Sequence, residues 1–100
     1  MKNLNDNSFG DFLSEGTCLV QFSATWCAPC KVLTKTLASA DSFPVPIGKI
    51  DIDQSPEIAR SFGIRSVPTM IVFKEGKEVG RKMGTRPLAQ VEEFLNESIG

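Results

Sequence analysis

Two cysteines separated by two residues, in Cys27-Ala28-Pro29-Cys30, are the side chains of this sequence best suited to chemistry. The spacing places both thiols within bridging distance of one another. A thiolate at one cysteine can attack a disulfide in another molecule, and the second thiol can then attack the resulting mixed disulfide and release the product. The pair therefore predicts thiol–disulfide exchange.

Other uses of the cysteines fit the sequence less well. Zinc normally takes four Cys or His ligands, and the chain has three Cys and no His, a count that also disfavours an iron–sulfur cluster. A purely structural disulfide across so short a loop would constrain the unfolded chain little. The third cysteine, Cys18, falls in an apolar run and is expected to be a small core residue.

Composition limits the other functional classes. The 100 residues carry 11 Lys and Arg against 12 Asp and Glu, a net charge of -1, so neither a nucleic-acid footprint nor a polybasic membrane contact is expected. The absence of histidine removes the usual general base. Three cysteines do not resemble a secreted disulfide framework, and residues 1–6 lack a signal-peptide core, so we expect a cytoplasmic protein with one domain over 1–100.

The elements on either side of the motif position it. Apolar residues at 18–22 predict a buried strand, and Pro29 suits the first turn of a helix with its apolar stripe at Val32, Leu33, Thr36 and Leu37. Cys27 then lies at a helix N-terminus, where free N–H groups and the helix dipole stabilise a thiolate.

The rest of the chain predicts an α/β fold with a mixed sheet. A short strand at 2–4 precedes the motif, followed by a short helix that begins after an N-cap at Asn5 or Asp6 and ends at Gly16. After the motif come a strand at 47–52, a helix from Pro56 capped by Ser55, a hairpin of strands at 70–73 and 79–83, and a final helix from Pro87 to Ile99. Helical crossovers make the early strands parallel, whereas the short turn at 75–76 makes the last pair antiparallel.

Several segments, in this order, resemble the thioredoxin family. They are Asn7-Ser8-Phe9, Leu19-Val20-x-Phe22, Ala24-x-Trp26-Cys27, Lys49-x-Asp51-x-Asp53, residues 62–69 (Phe-Gly-Ile-Arg-Ser-Val-Pro-Thr) and Gly84. The resemblance covers nearly the whole chain. It implies a three-layer α/β/α thioredoxin fold, with a central mixed sheet of four to five strands and four helices. It also implies a monomer that reduces protein disulfides, without a bound cofactor, and receives electrons from a thioredoxin reductase.

The same resemblance implies roles for individual residues. Cys27 would attack, Cys30 would resolve, and Trp26 would flank the site. Pro68 would match the family's cis-proline, which brings the Val67 backbone beside the sulfurs, where it can pair with an extended substrate segment. Gly84 would border the same groove and let a partner approach.

Departures from the family pattern concern the proton acceptor and the redox poise. Gln21 stands where the family has a buried aspartate, so this residue cannot accept a proton directly from Cys30. Lys49 thereby loses the acidic neighbour that it has in the family, and Asp51 is a possible substitute. Ala28 replaces a glycine. Alanine favours the helix by at most about 1 kcal/mol, which corresponds to a change of roughly 20 mV in the redox potential and is too small to turn a reductant into an oxidant.

The active-site motif also lacks the histidine of the oxidising relatives, which favours a reductant over a disulfide oxidase or isomerase. A second alternative is an accessory binding subunit of a larger enzyme, acting through the surface around Trp26, Pro68 and Gly84. Ser23 and Lys35 stand where the family often has tryptophan and proline, and both are expected to reshape the docking surface.

Overall fold

Strands and helices follow one another along the chain as the sequence predicts. The computed structural model describes all residues from Met1 to Gly100. The strands are β1 (Lys2–Leu4), β2 (Thr17–Ser23), β3 (Ile47–Asp51), β4 (Thr69–Lys74) and β5 (Lys77–Met83). The helices are α1 (Phe9–Leu13), α2 (Ala28–Ala38), α3 (Pro56–Ser61) and α4 (Leu88–Ile99). The predicted α/β class is confirmed.

The five strands form one mixed sheet in the order β1-β3-β2-β4-β5. β3 runs parallel to both β1 and β2, whereas β4 is antiparallel to β2 and β5. The hairpin turn between β4 and β5 is made by Glu75 and Gly76, both with positive φ. β2 lies at the centre of the sheet, so the chain leaving its end at Ser23 enters the redox motif from the most buried strand.

The two faces of the sheet pack against different helices. Side chains alternate along β2, so Val20 and Phe22 point to one face while Leu19 points to the other. The first face packs with α1, and Phe9, Phe22, Phe62 and Phe73 meet there edge to face or tilted. The second packs with α2 and α4 through Leu33, Leu37, Val91, Phe94 and Leu95. These layers make the three-layer arrangement that positions α2.

Three details of the predicted helices are wrong. Val32 is 55% exposed, because the buried stripe of α2 runs through Leu33 and Leu37 and Val32 is turned toward solvent. Ile99 is exposed at the last turn of α4. Ser55 precedes α3 but makes no side-chain cap hydrogen bond; its carbonyl oxygen accepts the Ala59 N–H instead.

None of the four helices is long and apolar enough to cross a membrane.

Cys18 is the one free cysteine and lies in the core, as expected. Burial, reinforced by the negative charge of Glu15, raises the pKa of its thiol to about 11. The native state therefore holds this proton at a pH where the unfolded chain, with an ordinary pKa of 9.0, has released it.

We expect the Cys18 thiol to make stability fall as the pH rises from about 9 to about 11, because the unfolded state then binds fewer protons than the native state. The free energy of unfolding in urea, measured from pH 8 to 11, checks this. Both proteins should carry Cys27→Ser and Cys30→Ser, so that Cys18 is the sole thiol, and one should add Cys18→Ala. Parallel pH profiles for the two proteins would contradict the prediction.

Candidate active site

The two cysteines of the motif form a disulfide at the start of α2. Their Cα atoms are 5.2 Å apart. Cys27 occupies the N-cap position, and its Sγ accepts a hydrogen bond of 3.2 Å from the backbone N–H of Cys30. Ala28 and Pro29 form the first two helical residues and are exposed to solvent. The helix N-terminus therefore directs a backbone donor at the sulfur of Cys27, where it can stabilise negative charge.

The two sulfur-bearing residues lie at different depths. Cys27 is 5% exposed and Cys30 is 1% exposed. They pack with Ala24 in a small apolar cluster, against which Val67 also lies. An incoming sulfur therefore meets Cys27 before Cys30.

The loop before β4 and the end of β5 complete the surface around the disulfide. The Val67–Pro68 peptide bond is cis, as predicted. The carbonyl oxygen of Val67 lies 3.6 Å from Cys27 Sγ. Gly84 donates its backbone N–H to the carbonyl oxygen of Pro68 at 2.9 Å, and its φ of +90° suits glycine. No atom lies within 4 Å of the position that a Cβ on Gly84 would take, so the backbone here faces open space.

Trp26 immediately precedes Cys27 and lies mostly in solvent. Its side chain is 68% exposed, and its indole N–H donates to Asp53 Oδ2 at 2.8 Å. Asp53 follows β3 and was quoted above only as part of the family resemblance. Its position two residues beyond the strand gave no sign in the sequence that it would reach the tryptophan.

Gln21 lies beneath Cys30 and is fully buried. Its Nε2 donates to the carbonyl oxygen of Cys30 at 3.2 Å. The Thr34 hydroxyl lies 3.2 Å from the same nitrogen and 3.3 Å from Gln21 Oε1. Gln21 therefore holds the first turn of α2 through amide hydrogen bonds. Thr34 was not predicted from the sequence as a site residue, and only its position one turn after Cys30 could have indicated this contact.

Lys49 lies opposite Gln21 in the β2–β3 register and is partly buried. The suggested ion pair between Lys49 and Asp51 is wrong. The two residues lie on the same side of β3, but the ion pairs of the structure are Arg60–Glu57 and Arg81–Glu78, and Asp51 instead accepts the backbone N–H groups of Asp53 and Gln54. No group of three or more His, Cys, Asp or Glu side chains is arranged to hold a metal ion.

The family resemblance predicts that Cys30 resolves a mixed disulfide, and Gln21→Asp is expected to change the pH dependence of that step, because a carboxylate at this buried position can accept a proton that the amide cannot. The rate at which Cys30 releases product from a Cys27-linked mixed disulfide, measured from pH 5 to 9, should gain an added inflection. Gln21→Asn has the shape of the aspartate variant without its acid and should show no added inflection. Identical profiles for wild type and Gln21→Asp would contradict this prediction.

Comparison with known proteins gives a consistent result. The family model described as Thioredoxin matches residues 1–97. A thioredoxin from Chlamydia caviae is 39% identical over 99 residues, which cover 97% of each chain. A thioredoxin from Bacillus subtilis is 36% identical over 97 residues, covering 94% of this chain and 93% of the relative.

A solved structure shows the same fold. The N21Q mutant thioredoxin from Halobacterium salinarum NRC-1 superimposes with a TM-score of 0.89 at 24% identity, covering 99% of this chain and 90% of that one. A five-stranded mixed sheet with four helices and a disulfide at the start of α2 accompanies the family match. The chain therefore belongs to the thioredoxin family and is a thiol–disulfide oxidoreductase of the protein-disulfide reductase type.

Proposed function

We propose that Cys27 attacks the disulfide bonds of other proteins and that Cys30 resolves the mixed disulfide. The observation that carries this assignment is the difference between the two sulfurs. Cys27 Sγ accepts the Cys30 N–H at the helix N-terminus and borders the Val67 backbone, whereas Cys30 lies behind it. The more accessible sulfur is also the one to which the helix offers a hydrogen-bond donor, which favours its thiolate as nucleophile.

The reaction proceeds by two exchanges from the reduced dithiol. The Cys27 thiolate attacks one sulfur of the substrate disulfide, which forms a Cys27–substrate disulfide and expels the other substrate sulfur as a thiolate. Cys30 loses its proton and attacks Cys27 Sγ, which forms the Cys27–Cys30 disulfide and expels the second substrate sulfur. The substrate gains two electrons and two protons, and the protein loses both.

The surface around Cys27 suits an extended substrate segment. Val67 presents its carbonyl oxygen 3.6 Å from Cys27 Sγ, so a strand paired with its backbone would pass directly over the sulfur. Gly84 leaves the neighbouring side of this groove open, and Trp26, which is next to Cys27 in the chain, adds exposed aromatic surface. Backbone pairing depends little on side-chain identity, which supports a range of protein substrates.

Turnover needs a source of electrons to reopen the Cys27–Cys30 disulfide. A dithiol donor of the thioredoxin reductase type would supply two electrons and two protons by the reverse exchange, with no cofactor resident in this chain. We place this cycle in the cytoplasm, where thiols are kept reduced, and assign it to cell redox homeostasis. The protein would act as a monomer, because one chain carries both cysteines and the groove.

Reduction of insulin disulfides, with dithiothreitol as the electron source, tests the proposed function. Wild-type protein should accelerate insulin reduction well above the dithiothreitol background. Cys30→Ser should instead accumulate a covalent complex joined through Cys27, which peptide mapping would identify. Absence of both turnover and trapped complex would contradict the reductase function and favour the accessory binding role, as would full biological function in a Cys27→Ser/Cys30→Ser protein.

A further inference from the structure

A depression of about 560 Å³ lies beside the redox motif, between β2, β3 and α2. It is lined by residues 23–25, by Lys31, Thr34 and Lys35 of α2, and by Lys49 and Asp51 of β3. These residues flank the motif in sequence, since Thr25 immediately precedes Trp26 and Lys31 immediately follows Cys30. A substrate whose disulfide contacts Cys27 would therefore extend close to this depression.

The depression carries net positive charge within an overall acidic chain. Three lysines and one aspartate give it a charge of +2, whereas the whole chain has a charge of -1. The two ion pairs of the structure, Arg60–Glu57 and Arg81–Glu78, involve none of these lysines. Asp51, the single acid, accepts two backbone N–H groups. The three ammonium groups thus lack a carboxylate partner within the chain.

Folding gives no reason for this concentration of charge. Lys31 and Lys35 are one turn apart on the same face of α2, and like charges at this spacing destabilise a helix. A concave surface lined by one sign of charge concentrates oppositely charged ligands. The unpaired lysines are therefore better explained by an anionic ligand than by stability.

The remaining polar groups indicate which anion fits. Ser23 and Thr25 add hydroxyl groups, whereas the Thr34 hydroxyl is already hydrogen-bonded to Gln21, and Ala24 is the one hydrophobic residue of the lining. Hydroxyl donors beside ammonium groups suit carboxylate oxygens, which accept several hydrogen bonds at once.

We propose that this depression binds acidic side chains of the substrate protein, in the segment next to the disulfide that Cys27 attacks. The inference rests on the proposed reductase function and adds a substrate preference to it. Disulfides with neighbouring Asp or Glu residues would be reduced faster than otherwise identical neutral ones. Charge attraction at an exposed site acts mainly on encounter and orientation, so the preference should weaken as salt screens it.

Two disulfide-linked peptide substrates of the same length test the preference. Each joins two short peptides by one disulfide and carries a fluorophore and a quencher that separate on reduction. One has two Glu residues beside its cysteine and the other has two Gln residues. Pre-reduced protein is mixed with each peptide at low salt and at about 0.5 M NaCl, where the screening length is only a few ångströms. The measured quantity is the ratio of their second-order rate constants.

We expect wild type to favour the Glu peptide by about fivefold at low salt, with the ratio approaching one at high salt. Lys31→Gln/Lys35→Gln should remove most of this preference. Lys74→Gln/Lys77→Gln removes the same amount of charge at the edge of the sheet where β2 begins, away from Cys27, and should keep the preference for the Glu peptide. Equal rates for both peptides in wild type, or equal loss of preference in both double variants, overturn the proposed site. Failure of wild type to reduce either peptide overturns the reductase function itself.

Discussion

Cys27→Ser should lower the rate of protein-disulfide reduction by at least about a thousandfold, to the background of the assay. A serine hydroxyl cannot form a disulfide, so neither the mixed disulfide nor the internal disulfide can arise. The backbone N–H of Cys30, which donates to Cys27 Sγ at 3.2 Å, then has no thiolate to stabilise. Insulin reduction with dithiothreitol as electron donor measures the loss.

Cys18→Ala is the matched control, because it removes a cysteine that lies in the core away from the disulfide pair. It should retain most of the wild-type rate under conditions where the variant stays folded, which circular dichroism confirms. Cys30→Ser separates the two steps, since it should form the mixed disulfide once and then stop. Turnover that survived in Cys27→Ser but disappeared in Cys18→Ala would contradict the assignment of Cys27 as the nucleophile.

Leu33→Ala should cost about 2–5 kcal/mol of stability, a large part of the 5–15 kcal/mol typical of a folded domain. Leu33 is fully buried where α2 packs against the sheet, among the side chains of the second core face. Its truncation removes apolar burial and leaves a cavity beneath the helix that carries both cysteines. Urea unfolding of the oxidised protein should show a midpoint lower by about 1–2 M at unchanged slope.

Val32→Ala provides the comparison on the neighbouring residue of the same helix. Val32 is 55% exposed, and alanine has the higher helix propensity, so its unfolding free energy should stay within about 0.5 kcal/mol of wild type. A similar loss in both variants would mean that α2 packs through a wider face than the structure shows. The pair also tests whether Val32, which the sequence predicts as part of the buried stripe, contributes to the core.

The order of elements followed from local patterns, and the structure confirms it. The apolar run at 18–22 and the proline at the start of α2 predicted β2 and α2 because strand burial and helix initiation depend on neighbouring residues. The errors arose where the environment comes from elsewhere in the fold. Val32 has the hydrophobicity of a core residue, and only the angle at which α2 packs on the sheet leaves it in solvent.

The sequence by itself determined the chemistry of the redox pair. Cys27 and Cys30 are three residues apart, and a helix begins between them, so the thiols and the helix N-terminus come together through local geometry alone. The resemblance to thioredoxins added Trp26, Pro68 and Gly84 as the expected surroundings, but no distance between them.

The tertiary structure decided what surrounds the sulfurs. Val67 reaches Cys27 across 40 residues of sequence, and Asp53 reaches Trp26 across 27, because β3 and β4 pair with β2 in the observed register. The same packing places Lys49 beside the lysines of α2 and Thr34 against Gln21. Contacts between distant segments depend on strand order, register and the packing of helices on the sheet, which no short stretch of sequence specifies by itself.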